Sequence, residues 1–370
     1  MIVDHLPKIN VIRPDSANQH RFRSLLNALA KLGLFLVLTG ILCQCSSAQE
    51  PANSTKATKV QKKEPRKPSR FVARGRFEDG KITESSGVTH AGPAADGTAS
   101  NAIWTLNDSG NEAKLFRVSI RDDDSKGHTE ATLKLKGTKN RDWETMCGFA
   151  IGEERFLAVG DVGDNLFRHK TYRIYVVREP IVKQKLSKKG KVKVKELKAS
   201  PFTIDFKYED GPHNCEAMSY NSDDKEYWFV EKVYVNDKRK TAPGIYVLPD
   251  PGIVAGESGK GKPVGVAKRV ADFAVRNVTG MAFSPDNQQL VIRSYFGAWL
   301  YEKADGKTWQ ETVNQIKAKP IRLPLQTQGE AICFSADGKS LLVTSEFKKA
   351  IVWQVNLEQA ASKEKNEAGK

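Results

Sequence analysis

One short element recurs five times in this chain and limits what it can fold into. Ser86-Gly87-Val88, Glu144-Thr145-Met146, Glu216-Ala217-Met218, Thr279-Gly280-Met281 and Glu330-Ala331-Ile332 each set a carboxylate or hydroxyl residue before a small residue and then an apolar one. The copies lie 58, 72, 63 and 51 residues apart, the span of one four-stranded unit with loops of varying length. Downstream of each copy a second apolar run ends in polar residues: IWTLNDSG, FLAVGDVGDN, YWFVEK, LVIRSY and LLVTSE. Counted to Asn107, Gly160, Glu231, Arg293 and Thr344, the two marks are 21, 16, 15, 14 and 14 residues apart. The first interval is lengthened by the Gly/Ala-rich insertion AGPAADGTAS.

Third runs follow (LFRVSI, RIYVVRE, GIYVLPD, AWLYEK, IVWQV), rich in the β-branched and aromatic residues of strands. Fourth runs are more polar: ATLKLKG, FTIDFKYEDG, RVADFAV and PIRLPLQ. The fifth repeat lacks a fourth run, and FVARGRFED at 71–79 has the pattern to supply it from the other end of the chain. Pairing first and last strands removes an open sheet edge. Hairpin turns are expected at Phe283-Ser284-Pro285-Asp286-Asn287 and Phe334-Ser335-Ala336-Asp337-Gly338. The pattern predicts an all-β chain over 71–356: a five-bladed β-propeller, four strands per blade, its last blade closed by the N-terminal strand.

The ends read differently. Arg21, Arg23 and Lys31 precede an apolar run at 32–43, and Ser46-Ser47-Ala48 supplies the small residues of a signal-peptidase cut, so 1–48 is expected to be an export signal. A retained membrane anchor is the competing reading, though twelve apolar residues fall short of the roughly 20 that span a bilayer. Export would leave the chain periplasmic, on the cell surface or secreted. Residues 49–70 form a basic linker and 357–370 a charged tail.

The formal charge of +15 suggests nucleic acid until it is located. It concentrates in the linker and in the run 183–198 (KQKLSKKGKVKVKELK), predicted as a protruding hairpin. Neither interleaves aromatic residues as a single-strand binder would, which argues against nucleic acid. An anionic polymer of the cell envelope, met through the linker, or a small molecule fits better. Beyond residue 48 the cysteines are Cys147, Cys215 and Cys333, each beside an apolar strand position, and they read as small buried hydrophobes ahead of a disulfide.

In a propeller the first strand of each blade lines the central channel, so Ser86, Glu144, Glu216, Thr279 and Glu330 converge there. Three carboxylates held together need a cation, and hard oxygen ligands suit Ca²⁺. Solvation by channel water is the alternative. The order hydroxyl, Glu, Glu, hydroxyl, Glu at five blade starts resembles the calcium-activated nucleotidases, the apyrases of the five-bladed class, over roughly 76–355. The resemblance implies a central calcium on these five positions. Where that family carries paired acids and then Arg-Thr-Gly, this chain has Asn107-Asp108-Ser109-Gly110, so nucleotidase activity does not carry over. The motifs NDSG, RDWETM, GDVGDN and NCEAM also resemble exported bacterial propellers of the esterase-like and SdiA-regulated kind.

Around the channel mouth, Asp108, Asp161 and Arg293 are the catalytic candidates and Asn107, Asp142, Lys232 and Tyr295 the ligand-binding ones. Acids beside a calcium, with Lys232 and Arg293, have the chemistry to bind a phosphate ester and stabilise charge as water attacks. The same acids beside glycine also serve as turn formers, and Asp164 and Asn165 are read that way. Two functions lead, a calcium-stabilised binding module and a calcium-dependent phosphoester or phosphoanhydride hydrolase, and a purely structural interaction domain using the basic hairpin 183–198 is the remaining reading. No nucleophile elbow, zinc-protease helix motif or phosphate-cradling loop is present. The histidines lack metal-ligand spacing and read as surface or loop residues, His213 falling near the mouth.

Overall fold

Runs of alternating and β-branched residues, cut at short intervals by Asp, Asn, Gly and Pro, fold into strands of two to nine residues throughout. The computed structural model describes residues 69–357 apart from 94–96, 121–125, 184–192, 239–241 and 253–263. The expected export signal, nearly all of the linker, the middle of the basic run and the tail beyond 357 lie outside the described residues. Among those described are twenty-two strands and one helix, and none of the described helices is long and apolar enough to cross a membrane.

The strands pair antiparallel in chain order. The first run is β2 (Ser85–His90), β3 (Ala102–Asn107), β4 (Lys114–Ser119) and β6 (Thr129–Leu135). The second is β7 (Trp143–Ile151), β8 (Glu154–Asp161), β9 (Tyr172–Arg178) and β11 (Phe202–Tyr208), and the third is β12 (Cys215–Asn221), β13 (Glu226–Glu231), β14 (Gly244–Pro249) and β15 (Gly265–Asp272). The fourth holds β16 (Val278–Phe283), β17 (Gln289–Ser294), β18 (Gly297–Glu302) and β19 (Lys319–Ile321). The last joins β20 (Gly329–Phe334), β21 (Ser340–Ser345) and β22 (Ile351–Asn356) to β1 (Phe71–Phe77), which pairs Phe71 with Val355 and so closes that sheet from the N-terminal side.

Hydrogen bonding groups these runs into four sheets, not five. The outer strands β11 and β15 pair in parallel at Phe206–Gly265, Lys207–Val266 and Tyr208–Ala267, which merges the second and third runs into one eight-stranded sheet. Two further parallel additions extend the edges. Lys195–Ala199 (β10), part of the basic run expected as a protruding hairpin, lies along β6, and Lys126–Gly127 (β5) lies along β1. An unpaired outer edge offers free N–H and C=O groups, and a short lysine-rich strand covers it while itself discouraging further pairing.

First strands neighbour one another in a cycle: β2 beside β7, β7 beside β12, β12 beside β16, β16 beside β20 and β20 beside β2. Apolar side chains fill the spaces between runs. Between the third and fourth, Phe283 meets Trp228 and Trp309 edge-on, with ring centroids 5.6 and 5.1 Å away. Trp309 opens helix α1 (Trp309–Gln315), which Thr308 and Glu311 cap reciprocally, and its indole N–H donates to the Asn287 carbonyl. That buries an aromatic worth about 2–3 kcal/mol without orphaning its polar atom. The two expected turns form as mirrored copies. Ser284 donates to Asp286 and Ser335 to Asp337, with Asn287 and Gly338 in the left-handed region at φ 53° and 70°.

Cys147, Cys215 and Cys333 are buried free thiols, and burial pushes each up to about 12.

Candidate functional site

Every first strand begins with a break in register. The pairing slips between Ser85 and Gly87, Trp143 and Thr145, Cys215 and Ala217, Val278 and Gly280, and Gly329 and Ile332. The repeat residues Ser86, Glu144, Glu216, Thr279 and Glu330 are the extra residues of these β-bulges. A bulge leaves its residue out of the ladder and re-aims the side chain. All five are buried.

The same register identifies the second tier. Asn107, Asp161, Glu231, Ser294 and Ser345 pair with the residues just before the bulges. One step further lie Asp108, Val162, Lys232, Tyr295 and Glu346, and this end of the ring is the mouth. Glu346 was missed from the sequence, although it ends the run LLVTSE as Asp108, Lys232 and Tyr295 follow theirs.

Hydrogen bonds bring Asp108 and Asp142 together. The Asn140 side chain donates to the Asn107 and Asp108 carbonyls at 3.1 and 2.8 Å and accepts from Trp143 N. Asp161, buried, accepts Asp142 N at 2.9 Å and lies 3.6 Å from Arg141 Nε, so it positions this loop from beneath. Gly163 completes the approach: a Cβ there would come within 2.6 Å of the Asp142 carboxyl and 2.8 Å of Glu144 Cγ. One carboxylate oxygen from each of Asp108, Asp142 and Glu144 lies within 4.8 Å of the others.

The electrostatics of this cluster follow from burial. It pushes Asp108 up to about 6, against the pull of the Ser109 amide, and Asp142 up to about 7, with the Asp108 charge adding to the shift. Glu144 is driven well above the ordinary carboxylate range by burial, then by Asp108, Glu216 and Asp142. Glu346 is pushed by burial to about 7. Glu144 is 6% exposed, and no hydrogen bond or ion pair reaches its carboxylate among the described residues. A carboxylate this far withdrawn, without a donor and beside two others, is costly to ionise and favours a cation.

The other glutamates are differently served. Lys232 donates to Glu216 Oε2 at 2.5 Å and to the Tyr295 hydroxyl at 2.8 Å. Burial opposes its charge, but Glu216 and Glu330 more than offset that and hold the ammonium well above its ordinary value. Thr279 gives its hydroxyl proton to the Gly329 carbonyl and Ser86 to the Glu84 carbonyl.

A calcium ion can therefore be tested against two donor sets. At 2.3–2.6 Å per oxygen, two ligands on one Ca²⁺ stand up to about 5 Å apart, which the Asp108–Asp142–Glu144 spacing meets with an all-oxygen set. Of the five-residue ring, Glu144 alone belongs to that set, while Glu216 is neutralised by Lys232.

Two candidates sit elsewhere than expected. Arg293 pairs opposite Gly280, one residue short of the tier below the mouth, and a one-residue step turns a strand side chain to the other face. It is buried between the fourth and fifth runs, donating to the Ala331 and Thr344 carbonyls at 2.8 and 3.1 Å and to Gln326 Oε1 at 2.7 Å. Burial lowers it to about 10. Asn107 spends its side chain on the preceding loop, accepting from Thr83 N and Glu84 N and donating to the Lys81 carbonyl. Asp164 caps its loop through Arg168 N, His169 N and the Tyr172 hydroxyl. His213, expected at the surface, is buried between Asp210 and Glu231, 2.7 and 2.8 Å from their carboxylates.

No family model matches the chain, and no curated protein does. Among solved structures it resembles a Thermus thermophilus protein assigned as an oxidoreductase (glucose dehydrogenase), with 8% identity, a TM-score of 0.40, 75% of this chain covered and 98% of the other. At that level the likeness assigns no activity.

Proposed function

We propose that the chain is a five-bladed β-propeller working as an exported, calcium-stabilised binding module whose ligand enters at the mouth. The blade count rests on five antiparallel runs, each opened by a bulged first strand, with the eight-stranded sheet read as two blades bridged by three parallel residue pairs. One observation carries the calcium: buried Glu144, without a donor, beside Asp108 and Asp142 at ligand spacing. Asp108, Asp142 and Glu144 would hold the ion, which would supply positive charge to a cluster that otherwise repels itself. Export and attachment to an anionic envelope polymer through the linker belong to the same proposal.

A second reading, a calcium-dependent phosphoester or phosphoanhydride hydrolase, draws on the all-oxygen set Asp108, Asp142 and Glu144, since an ion held there would polarise water or a phosphoryl oxygen. It lacks the phosphate contact expected of Arg293, whose guanidinium serves backbone carbonyls.

Thermal melts of the full chain in EDTA and in calcium test the first reading, together with terbium luminescence and phosphate release from nucleotides and phosphoesters. At a hundredfold excess over the dissociation constant, calcium adds about 2.7 kcal/mol, a shift of roughly 5 °C or more. No shift and no terbium signal would remove the cation. A shift with calcium-dependent phosphate release would replace the module by the hydrolase.

A further inference from the structure

Among the described residues, five exposed apolar or aromatic side chains stand on connections at the mouth end of the ring. Leu166 follows β8, Tyr234 and Val235 follow β13, Phe296 follows β17, and Leu325 precedes β20. Antiparallel pairing returns the end of each second strand to the start of its first strand, so these connections share the end where the bulges lie. Phe296 is 71% exposed, Leu166 and Val235 are 54% exposed each, and Leu325 is fully exposed.

Hydrogen bonds and a ring contact tie this collar to the acids. Tyr234 donates to Asn165, next to Leu166, and lies 5.5 Å beneath the Lys232 ammonium. Tyr295, next to Phe296, accepts from Lys232, and Gln326, next to Leu325, accepts from Arg293. Single exposed apolar residues are ordinary, but several collected around a recess mark a contact surface.

The recess inside the collar is strongly acidic. Lys232 is shared by Glu216 and Glu330. Even with a divalent ion on Asp108, Asp142 and Glu144, the carboxylates of these residues and of Glu216, Glu330 and Glu346 would outnumber the positive charges facing them. Glu144, with no donor among the described residues, shows the same demand for positive charge, which either a cation or a basic side chain would meet. An anionic ligand would meet repulsion there, and a neutral apolar one would offer nothing to the carboxylates.

We propose that the mouth captures a basic segment of a partner polypeptide, its lysine or arginine head entering beside Glu330 and Glu346 while neighbouring apolar side chains rest on Phe296, Leu325 and Leu166. This rests on the reading of the mouth as a binding site and names its ligand class. Opposite charge supplies steering and orientation, and the apolar contacts resist dissociation.

The test is fluorescence anisotropy of the full chain with labelled ten-residue peptides of alternating Lys-Leu, Lys-Ser and Glu-Leu, alongside terbium luminescence. The Lys-Leu peptide is expected to bind about tenfold or more tighter than Lys-Ser, and Glu-Leu not at all. Phe296→Ser with Leu325→Ser should weaken Lys-Leu by about tenfold while terbium binding stays unchanged. Glu330→Gln with Glu346→Gln should weaken both basic peptides. Equal affinity for Lys-Leu and Lys-Ser, indifference to the collar variant, or preference for Glu-Leu would each overturn the proposal. Terbium binding without peptide capture would overturn it and leave the cation standing. Capture without terbium binding would keep it and remove the cation.

Discussion

Glu144 and Glu179 are both largely buried, Glu144 with 6% of the residue exposed and Glu179 with 6% of its side chain, yet they are used in opposite ways. Glu179 accepts from Gly92 N at 2.7 Å, Trp104 Nε1 at 2.9 Å and Arg155 Nε at 3.0 Å, and so stitches the first two runs together. Glu144 accepts from nothing among the described residues and faces two further carboxylates. A buried carboxylate ringed by donors contributes to the fold. One ringed by other carboxylates costs stability until a cation arrives.

The contrast breaks most sharply if Glu179 is removed. Glu179→Ala should cost about 3–5 kcal/mol, since it orphans the buried Gly92 amide and Trp104 indole and takes the partner from partly exposed Arg155, and urea unfolding will read the loss. A neutral effect would mean the donors find water instead. Arg293→Met should cost about 3 kcal/mol through two orphaned carbonyls while leaving the calcium-induced melting shift intact. Loss of that shift would return Arg293 to the site.

At the mouth the sign reverses. Glu144→Gln should stabilise the EDTA-treated protein by about 1–2 kcal/mol and abolish its response to calcium, a double signature that melts in both buffers can read. Destabilisation in EDTA would place Glu144 with Glu179.

The contrast also appears in pH. Asp108, at about 6, and Asp142, at about 7, are raised above their unfolded value of 3.8. Groups raised on folding bind more protons in the native state, so their contribution is full below the unfolded value of 3.8 and is lost progressively until pH passes about 6–7. Melts in EDTA should therefore fall across that window, and calcium, which requires the ionised forms, should flatten the fall. A flat profile in EDTA would mean the acids are already compensated.

The repeat residues were legible because the bulge that aims each one is a local feature, written as a carboxylate or hydroxyl before a small residue. Position 329 shows how local and tertiary demands coincide: a Cβ on Gly329 would overlap the Arg293 guanidinium, so the glycine that precedes the fifth copy makes room for the neighbouring run. Arg293 itself was misread because counting from apolar run to apolar run slipped the second strand by one residue, and in a period of two that exchanges faces. The same slip hid Glu346. His213 was misread for another reason, since its carboxylate partners Asp210 and Glu231 come from the connection after β11 and from the end of β13, which no spacing rule links.

By itself the sequence determined the antiparallel strands of the five runs, their order, the closure by β1 and the five residues at the bulges, because these depend on side-chain alternation, turn chemistry and repetition along the chain. It did not determine the edge strands β5 and β10. Only the tertiary structure decided which carboxylates find donors and which do not. Among the described residues it gave Lys232 to Glu216 and no donor to Glu144. It brought Asp142 beside Asp108 through Asn140, and joined two runs through β11 and β15. Those outcomes depend on distances between segments far apart in the chain, and burial turns each distance into a cost or a contact.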